Sequence, residues 1–226
     1  MKRFLKFLVY LLLMTAIFFG YQNIDNIIAW LVPEEKPVEA SMEHGWNLIL
    51  VNSDYCIPPD YTPQLMELYS GEQVDERIYP DLQQMFDDMR ALDIYPVVVA
   101  GYRSHEDQQR IMDQYIADFE AQGYSEKEAK ELARDWVAIP GTSEHELGLA
   151  VDINQDVTLS TADQVYDFLA ENAHHYGFIL RYPPDKTEIT GISNEPWHYR
   201  YVGREAAKEI YESGLCLEEY IAQLDS

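Results

Sequence analysis

Cysteine is nearly absent. Cys56 and Cys216 are the two in 226 residues, too few for a disulfide-dense scaffold and outside any Cys-x-x-Cys metal or redox spacing. Positions 56 and 216 are too distant in sequence to say whether the thiols pair or stay free. Basic residues are scarce as well: 16 Lys and Arg face 40 Asp and Glu, for a formal charge of −24. A surface so acidic repels phosphate backbones and argues against nucleic acid as a partner. No internal repeat or low-complexity tract is present. With 47% hydrophobic residues wholesale disorder is excluded, and the length suits one domain with a short appendage.

The N-terminus differs from the rest. Before Ala40 the bases Lys2, Arg3, Lys6 and Lys36 cancel Asp25, Glu34, Glu35 and Glu39, so the remainder carries the whole net charge. Lys2, Arg3 and Lys6 precede an apolar run, Phe7 to Phe19, and a second patch, Ile27 to Val32, follows a polar break at Tyr21 to Asn26. A positive flank ahead of an apolar stretch is how export signals and single-pass anchors read. The run is short against the ~20 residues of a full span, yet Val38-Glu39-Ala40-Ser41 is a weak cleavage site. Residues 1–32 are therefore read as an uncleaved signal/anchor with a membrane helix, placing a single-pass protein in the cell membrane with its domain extracellular. Secretion after signal cleavage is the alternative. Residues 33–45, with Pro33-Glu34-Glu35-Lys36-Pro37, read as a polar tether, and 46–226 as the folded domain.

Within that domain, Trp46 to Val51 is an apolar strand candidate. Pro80 opens a helix with Leu82, Met85, Phe86, Met89 and Leu92 at helical spacing. Pro96 to Ala100 reads as a buried strand. Ser104 with Asp107 caps a helix through Phe119, whose stripe Ile111, Met112, Tyr115, Ile116 and Phe119 reads as core. Ser125 with Glu128 caps another, running to about Val137. Leu147 to Ile153 alternates: Leu147, Leu149, Val151 and Ile153 suit a core face, while Gly148 and Ala150 leave space on the face that carries Asp152. A helix from Thr161 to Tyr176 stops at Gly177, with His174 and His175 as dipole partners at its end. Phe178 to Leu180 and Trp197 to Val202 read as strands around the loop Tyr182 to Asn194, and two short helices, Arg204 to Glu212 and Leu217 to Leu224, close the chain. Strands interspersed irregularly with helices favour an α+β fold: a small, mainly antiparallel sheet flanked by helices.

Three side chains offer metal ligands in a usable pattern. His145 lies just before the alternating strand, Asp152 lies on it, and His198 lies on another. A hydrolytic zinc site uses three protein ligands and keeps a fourth position for water. His145 and Asp152 reach one ion only if the chain turns between them, and Gly148 suits such a turn. Glu195 precedes His198 by three residues, but Pro196 disfavours a helix there. That leaves Glu195 in the entering loop, free to act as the base that takes a proton from water and returns it to a leaving amine. Arg103, leaving the strand end at Gly101, suits an oxyanion or carboxylate in a cleft as well as an ordinary surface ion pair. His44 and His105 do not join the pattern.

Ser143-x-His145-x-x-Gly148-x-Ala150-x-Asp152 with Glu195-x-x-His198 resembles the signature of the LAS zinc peptidases. Gly101-Tyr102-Arg103-Ser104-x3-Gln108, Pro140 to His145 and Glu195-Pro196-Trp197-His198-Tyr199-Arg200-Tyr201-Val202-Gly203 resemble its VanY-type D-alanyl-D-alanine carboxypeptidase branch. The likeness runs from about Trp46 to the C-terminus. It implies a Zn2+ cofactor held by His145, Asp152 and His198, with Glu195 as base and Arg103 stabilising the oxyanion. It further implies that Ser143 and Gln108 help hold the terminal D-alanine carboxylate, with Trp197 shaping the pocket wall. The partner implied is a peptidoglycan stem peptide, cut as a D,D-carboxypeptidase cuts it. An L,D-carboxypeptidase, an endopeptidase or a non-catalytic wall-binding module are the alternatives.

Overall fold

The computed structural model describes residues 36–226. The expected signal/anchor over 1–32 lies outside the described residues, and among those described no helix is long and apolar enough to cross a membrane. Residues Pro37–Ser226 form one compact unit. Its elements in order are β1 (Val38–Glu39), β2 (Tyr55–Cys56), β3 (Leu65–Glu67), β4 (Gln73–Asp75), α1 (Tyr79–Ala91), β5 (Pro96–Ala100), α2 (His105–Ala121), α3 (Glu126–Arg134), β6 (Ala150–Gln155), α4 (Ala162–Asn172), β7 (Phe178–Leu180), α5 (Thr187–Thr190), β8 (His198–Tyr201), α6 (Arg204–Ser213) and α7 (Leu217–Leu224). The fold is α+β. Its main sheet has the order β5-β6-β8-β7, antiparallel at every pairing.

Local sequence explains most of these elements. Capping boxes start α2 at Ser104 with Asp107, α3 at Ser125 with Glu128 and α4 at Thr161 with Gln164, each satisfying two amides that a helix start leaves open. Pro80 sits in the first turn of α1, where no N–H is needed. Helix α1 buries Leu82, Met85, Phe86 and Met89 in a core shared with Leu149, Val151 and Ile153 of β6, Val165 and Leu169 of α4, and Tyr199 and Tyr201 of β8. Each such aliphatic side chain contributes roughly 1.5–3 kcal/mol on burial. The opposite face of β6 and β8 carries Ala150, Asp152, His198 and Arg200. The short helix α5 interrupts the expected loop Tyr182 to Asn194, and α3 ends at Arg134, three residues before Val137, which is nonetheless buried.

Two expectations are corrected. Trp46 to Val51 is not a strand. Its alternation survives, with Ile49 and Val51 in the main core and Leu48 and Leu50 against a second cluster, but a side chain takes its backbone acceptors. Arg200 Nη2 donates to the carbonyls of Asn47 (3.2 Å) and Ile49 (2.8 Å), so no neighbouring strand is needed. The stretch 33–45 is not a free tether from Val38 onward. Val38 and Ala40 donate backbone hydrogen bonds to Asp54 and Cys56, and Ala40 is buried in the core. Cys56 and Cys216 are both free thiols.

Candidate metal centre and active site

Strand register creates the centre. In the antiparallel β6–β8 pair, Asp152 stands directly opposite His198, so their side chains leave the same face as cross-strand neighbours. Between Glu144 and Leu147 the chain makes one 3-10 turn and leaves it through Gly148 at φ 70°, a left-handed conformation that glycine adopts without strain. That turn swings His145 back over the strand that follows. Its Nδ1 lies 2.7 Å from the Gly101 carbonyl. A carbonyl only accepts, so Nδ1 carries the proton and Nε2 keeps its lone pair.

Nε2 of His145 is 3.4 Å from Asp152 Oδ1, and Nδ1 of His198 is 3.0 Å from the same oxygen. One donor atom from each of the three lies within 4.8 Å of the others. Three ligands around one tetrahedral zinc at 2.0–2.2 Å stand roughly 3.3–3.6 Å apart, so this donor set fits that ion with small adjustments. The electrostatics agree. Burial opposes charge on all three, yet His145 and His198 hold Asp152 well below the usual carboxylate range. Burial alone would lower His198, but the neighbouring Asp152 and Glu144 carboxylates outweigh it and push the ring up to about 9, while burial prevails on His145 and lowers it. The site attracts positive charge, and a divalent cation competes with protons for these lone pairs.

Glu195 enters from the loop before β8, buried to 9% exposure, with Oε2 3.7 Å from His198 Nδ1. Burial, reinforced by Asp152 and opposed by His198 and Arg103, pushes its carboxyl up to about 7, near where a general base works best. Arg103 follows the β5 end; its amide donates to the His145 carbonyl and its Nη2 lies 3.0 Å from Asp152 Oδ2. Ser143, Gln108 and Trp197 line the same cleft. Gln108 donates one amide hydrogen to the Ala138 carbonyl (2.8 Å), and its Oε1 has no partner among the described residues. All eight candidate residues therefore share one cleft. His174 stacks on Tyr211, His44 pairs with Asp225 and His105 with Glu146, all outside it.

Sequence reasoning missed several neighbours. Trp136, Tyr115, Ile111, Tyr182 and Ile192 also line the cleft, so part of the α2 stripe read as core faces substrate space. Glu144 is buried beside the ligands with Arg181 and Arg200. Arg200 had a readable signal: it alternates with His198 on β8, so it points to the same inward face.

An antiparallel sheet presenting two imidazoles, an aspartate and a separate buried carboxyl defines a metallopeptidase-type centre. The family profile VanY, D-alanyl-D-alanine carboxypeptidase, matches residues 71–204. A D-alanyl-D-alanine carboxypeptidase of Enterococcus faecalis is 56% identical over 193 residues, covering 84% of this chain and 72% of the relative. The structure of VanYB in complex with D-alanine-D-alanine superposes with TM-score 0.77 at 59% identity, over 78% of this chain and 98% of that one. A mutant of the vancomycin-resistance D,D-pentapeptidase VanY from the VanB-type cassette, in complex with Zn(II), gives 0.76 at 59%, over 78% and 99%. The chain belongs to the VanY family.

Proposed function

We propose that this protein is a zinc-dependent D,D-carboxypeptidase that removes the terminal D-alanine from peptidoglycan stem peptides. The observation that carries the reading is the pairing of Asp152 with His198 across β6 and β8, with His145 folded over it and Glu195 alongside but outside the ligand set. Family membership and the D-alanyl-D-alanine substrates named for its relatives supply the substrate class.

His145 Nε2, Asp152 Oδ1 and His198 Nδ1 would hold the metal. Zinc, when bound, supplies a Lewis acid for the scissile carbonyl and lowers the pKa of water towards neutrality. Glu195 takes the proton from the attacking water at its carboxylate and passes it to the departing D-alanine amine. Its burial keeps that carboxyl close to neutral pKa, so it can both accept and release the proton. The Arg103 guanidinium offsets negative charge developing on the carbonyl oxygen. Ser143 and the second amide hydrogen of Gln108 orient the terminal carboxylate, and Trp197 bounds the pocket. A non-catalytic wall-binding module has no use for a base such as Glu195.

Products from defined muropeptides test the proposal. Release of free D-alanine from pentapeptide stems but not from tetrapeptide stems, abolished by a chelator, supports it. Release from tetrapeptide stems supports an L,D-carboxypeptidase, and cleavage within cross-links supports an endopeptidase.

We further propose that residues 1–32 anchor the protein in the membrane with the domain outside the cell. The basic cluster Lys2, Arg3 and Lys6 ahead of Phe7 to Phe19 supports this, as does the location of a peptidoglycan substrate. Cell fractionation with N-terminal sequencing checks it; recovery of a shortened chain in the medium would favour signal cleavage.

A further inference from the structure

The two imidazoles turn opposite nitrogens to the cleft. His145 offers Nε2 and backs Nδ1 onto a neutral carbonyl. His198 offers Nδ1, which faces Asp152 and Glu195, and turns Nε2 away, 3.5 Å from Glu144 Oε2. Among the described residues neither His198 Nε2 nor Glu144 Oε2 has a hydrogen-bond partner, and both are buried. A shortening of a few tenths of an ångström gives a charge-assisted hydrogen bond.

The other oxygen of Glu144 is held tightly. Oε1 accepts from Arg181 Nε at 2.7 Å and from Arg200 Nη1 at 2.8 Å. Arg181 is gripped from its far side by Glu218 at the start of α7, through Nη1 at 2.9 Å and Nη2 at 2.6 Å. The remaining donors of Arg200 go to the carbonyls of Asn47, Ile49 and Tyr201. Both arginines are fully buried, and the two carboxylates balance their charge. Buried ion pairs are poor sources of net stability, because desolvation offsets their attraction. What this cluster does supply is a carboxylate fixed in place and in charge behind one imidazole.

We propose that Glu144 is a positioning residue that holds His198 with its proton on Nε2 and its Nδ1 lone pair aimed into the metal site. Arg181, Arg200 and Glu218 hold Glu144 in that role, which couples the C-terminal helix α7 to the centre. The proposal rests on the zinc reading of the site. Carboxylates behind metal-binding imidazoles orient the ring and raise its basicity, and losing one typically weakens metal binding by 10- to 100-fold. If Glu144 only neutralised two arginines, its loss would lower stability without changing how the folded protein binds zinc.

The test is E144Q, which keeps shape and removes charge. Zinc affinity is measured by competition with a chromophoric chelator, well below the thermal transition, together with the visible spectrum of the cobalt(II)-loaded protein. Zinc binding weaker by about 10- to 100-fold, with an altered cobalt spectrum, supports the proposal. Affinity within threefold of the parent and an unchanged spectrum would overturn it. Should E144Q not fold, long-range 1H–15N correlation on the zinc-loaded parent reads the His198 ring directly. Nδ1 on the metal with a downfield Nε2 proton supports the proposal, and zinc on Nε2 overturns it. A parent that binds no zinc would instead sink the metal reading itself, and elemental analysis tells that outcome apart.

Discussion

Gly101 ties the sheet edge to the metal centre, and Gly101→Ala should break both at once. A Cβ built on Gly101 would lie 2.2 Å from the Gln73 carbonyl oxygen and 3.2 Å from its carbon. Non-bonded carbon and oxygen do not approach so closely, so β4 or the β5 end must move by about an ångström, and packing offers little slack. The Gln73 carbonyl is not idle, since it accepts from the Tyr102 amide. Overpacking of this kind costs roughly 1–3 kcal/mol, which for a domain of this size lowers Tm by roughly 2–12 °C. The second consequence is chemical. The Gly101 carbonyl orients His145 through the 2.7 Å contact to Nδ1, and displacing it releases the ring. Zinc affinity should fall about 10- to 100-fold, measured by chelator competition at a temperature where circular dichroism shows the variant folded. A G101A protein that melts within 2 °C of the parent (roughly the lower bound above) and binds zinc equally well would refute this account of how His145 is held.

Glu195→Gln should lower kcat by about 10²- to 10⁴-fold, the usual worth of a general base, while zinc content by elemental analysis stays at one per chain; near-normal turnover would show that another group moves the proton. His198→Ala should lose zinc together with activity, and unchanged metal content would remove it from the ligand set. Acid should weaken the fold through the buried cluster. Burial alone would raise Glu144 and Glu218, but Arg181, joined by Arg200 at Glu144, outweighs it and holds both below the ordinary carboxylate range. Their stabilisation is therefore complete above the unfolded value of about 4.3 and is lost as pH falls through it towards the folded values. Urea midpoints measured from pH 6 down to pH 3 should decline, and E218Q should decline less steeply; equal slopes would mean that Glu218 takes no part.

Much of the fold is legible in residue order because its causes are local. Capping boxes at Ser104, Ser125 and Thr161, the proline at the start of α1 and the alternation of Leu149, Val151 and Ile153 depend on neighbours a few residues away. The ligand types and their order along the chain are likewise written there, as are the charge balance that disfavours nucleic acid and the basic cluster ahead of Phe7. Tertiary structure decided the rest. The strand pattern of Trp46 to Val51 does not become a strand because Arg200, some 150 positions away, satisfies its carbonyls first. Tyr115 faces the cleft although its helical spacing suits a core, because α3 covers only part of that stripe. Glu144 reads as an ordinary acid beside His145 until Arg181, Arg200 and Glu218 arrive from other elements to bury it. Hydrogen bonds and ion pairs between distant segments depend on register and on which groups are shut away from water, and residue order carries neither until the sheet closes.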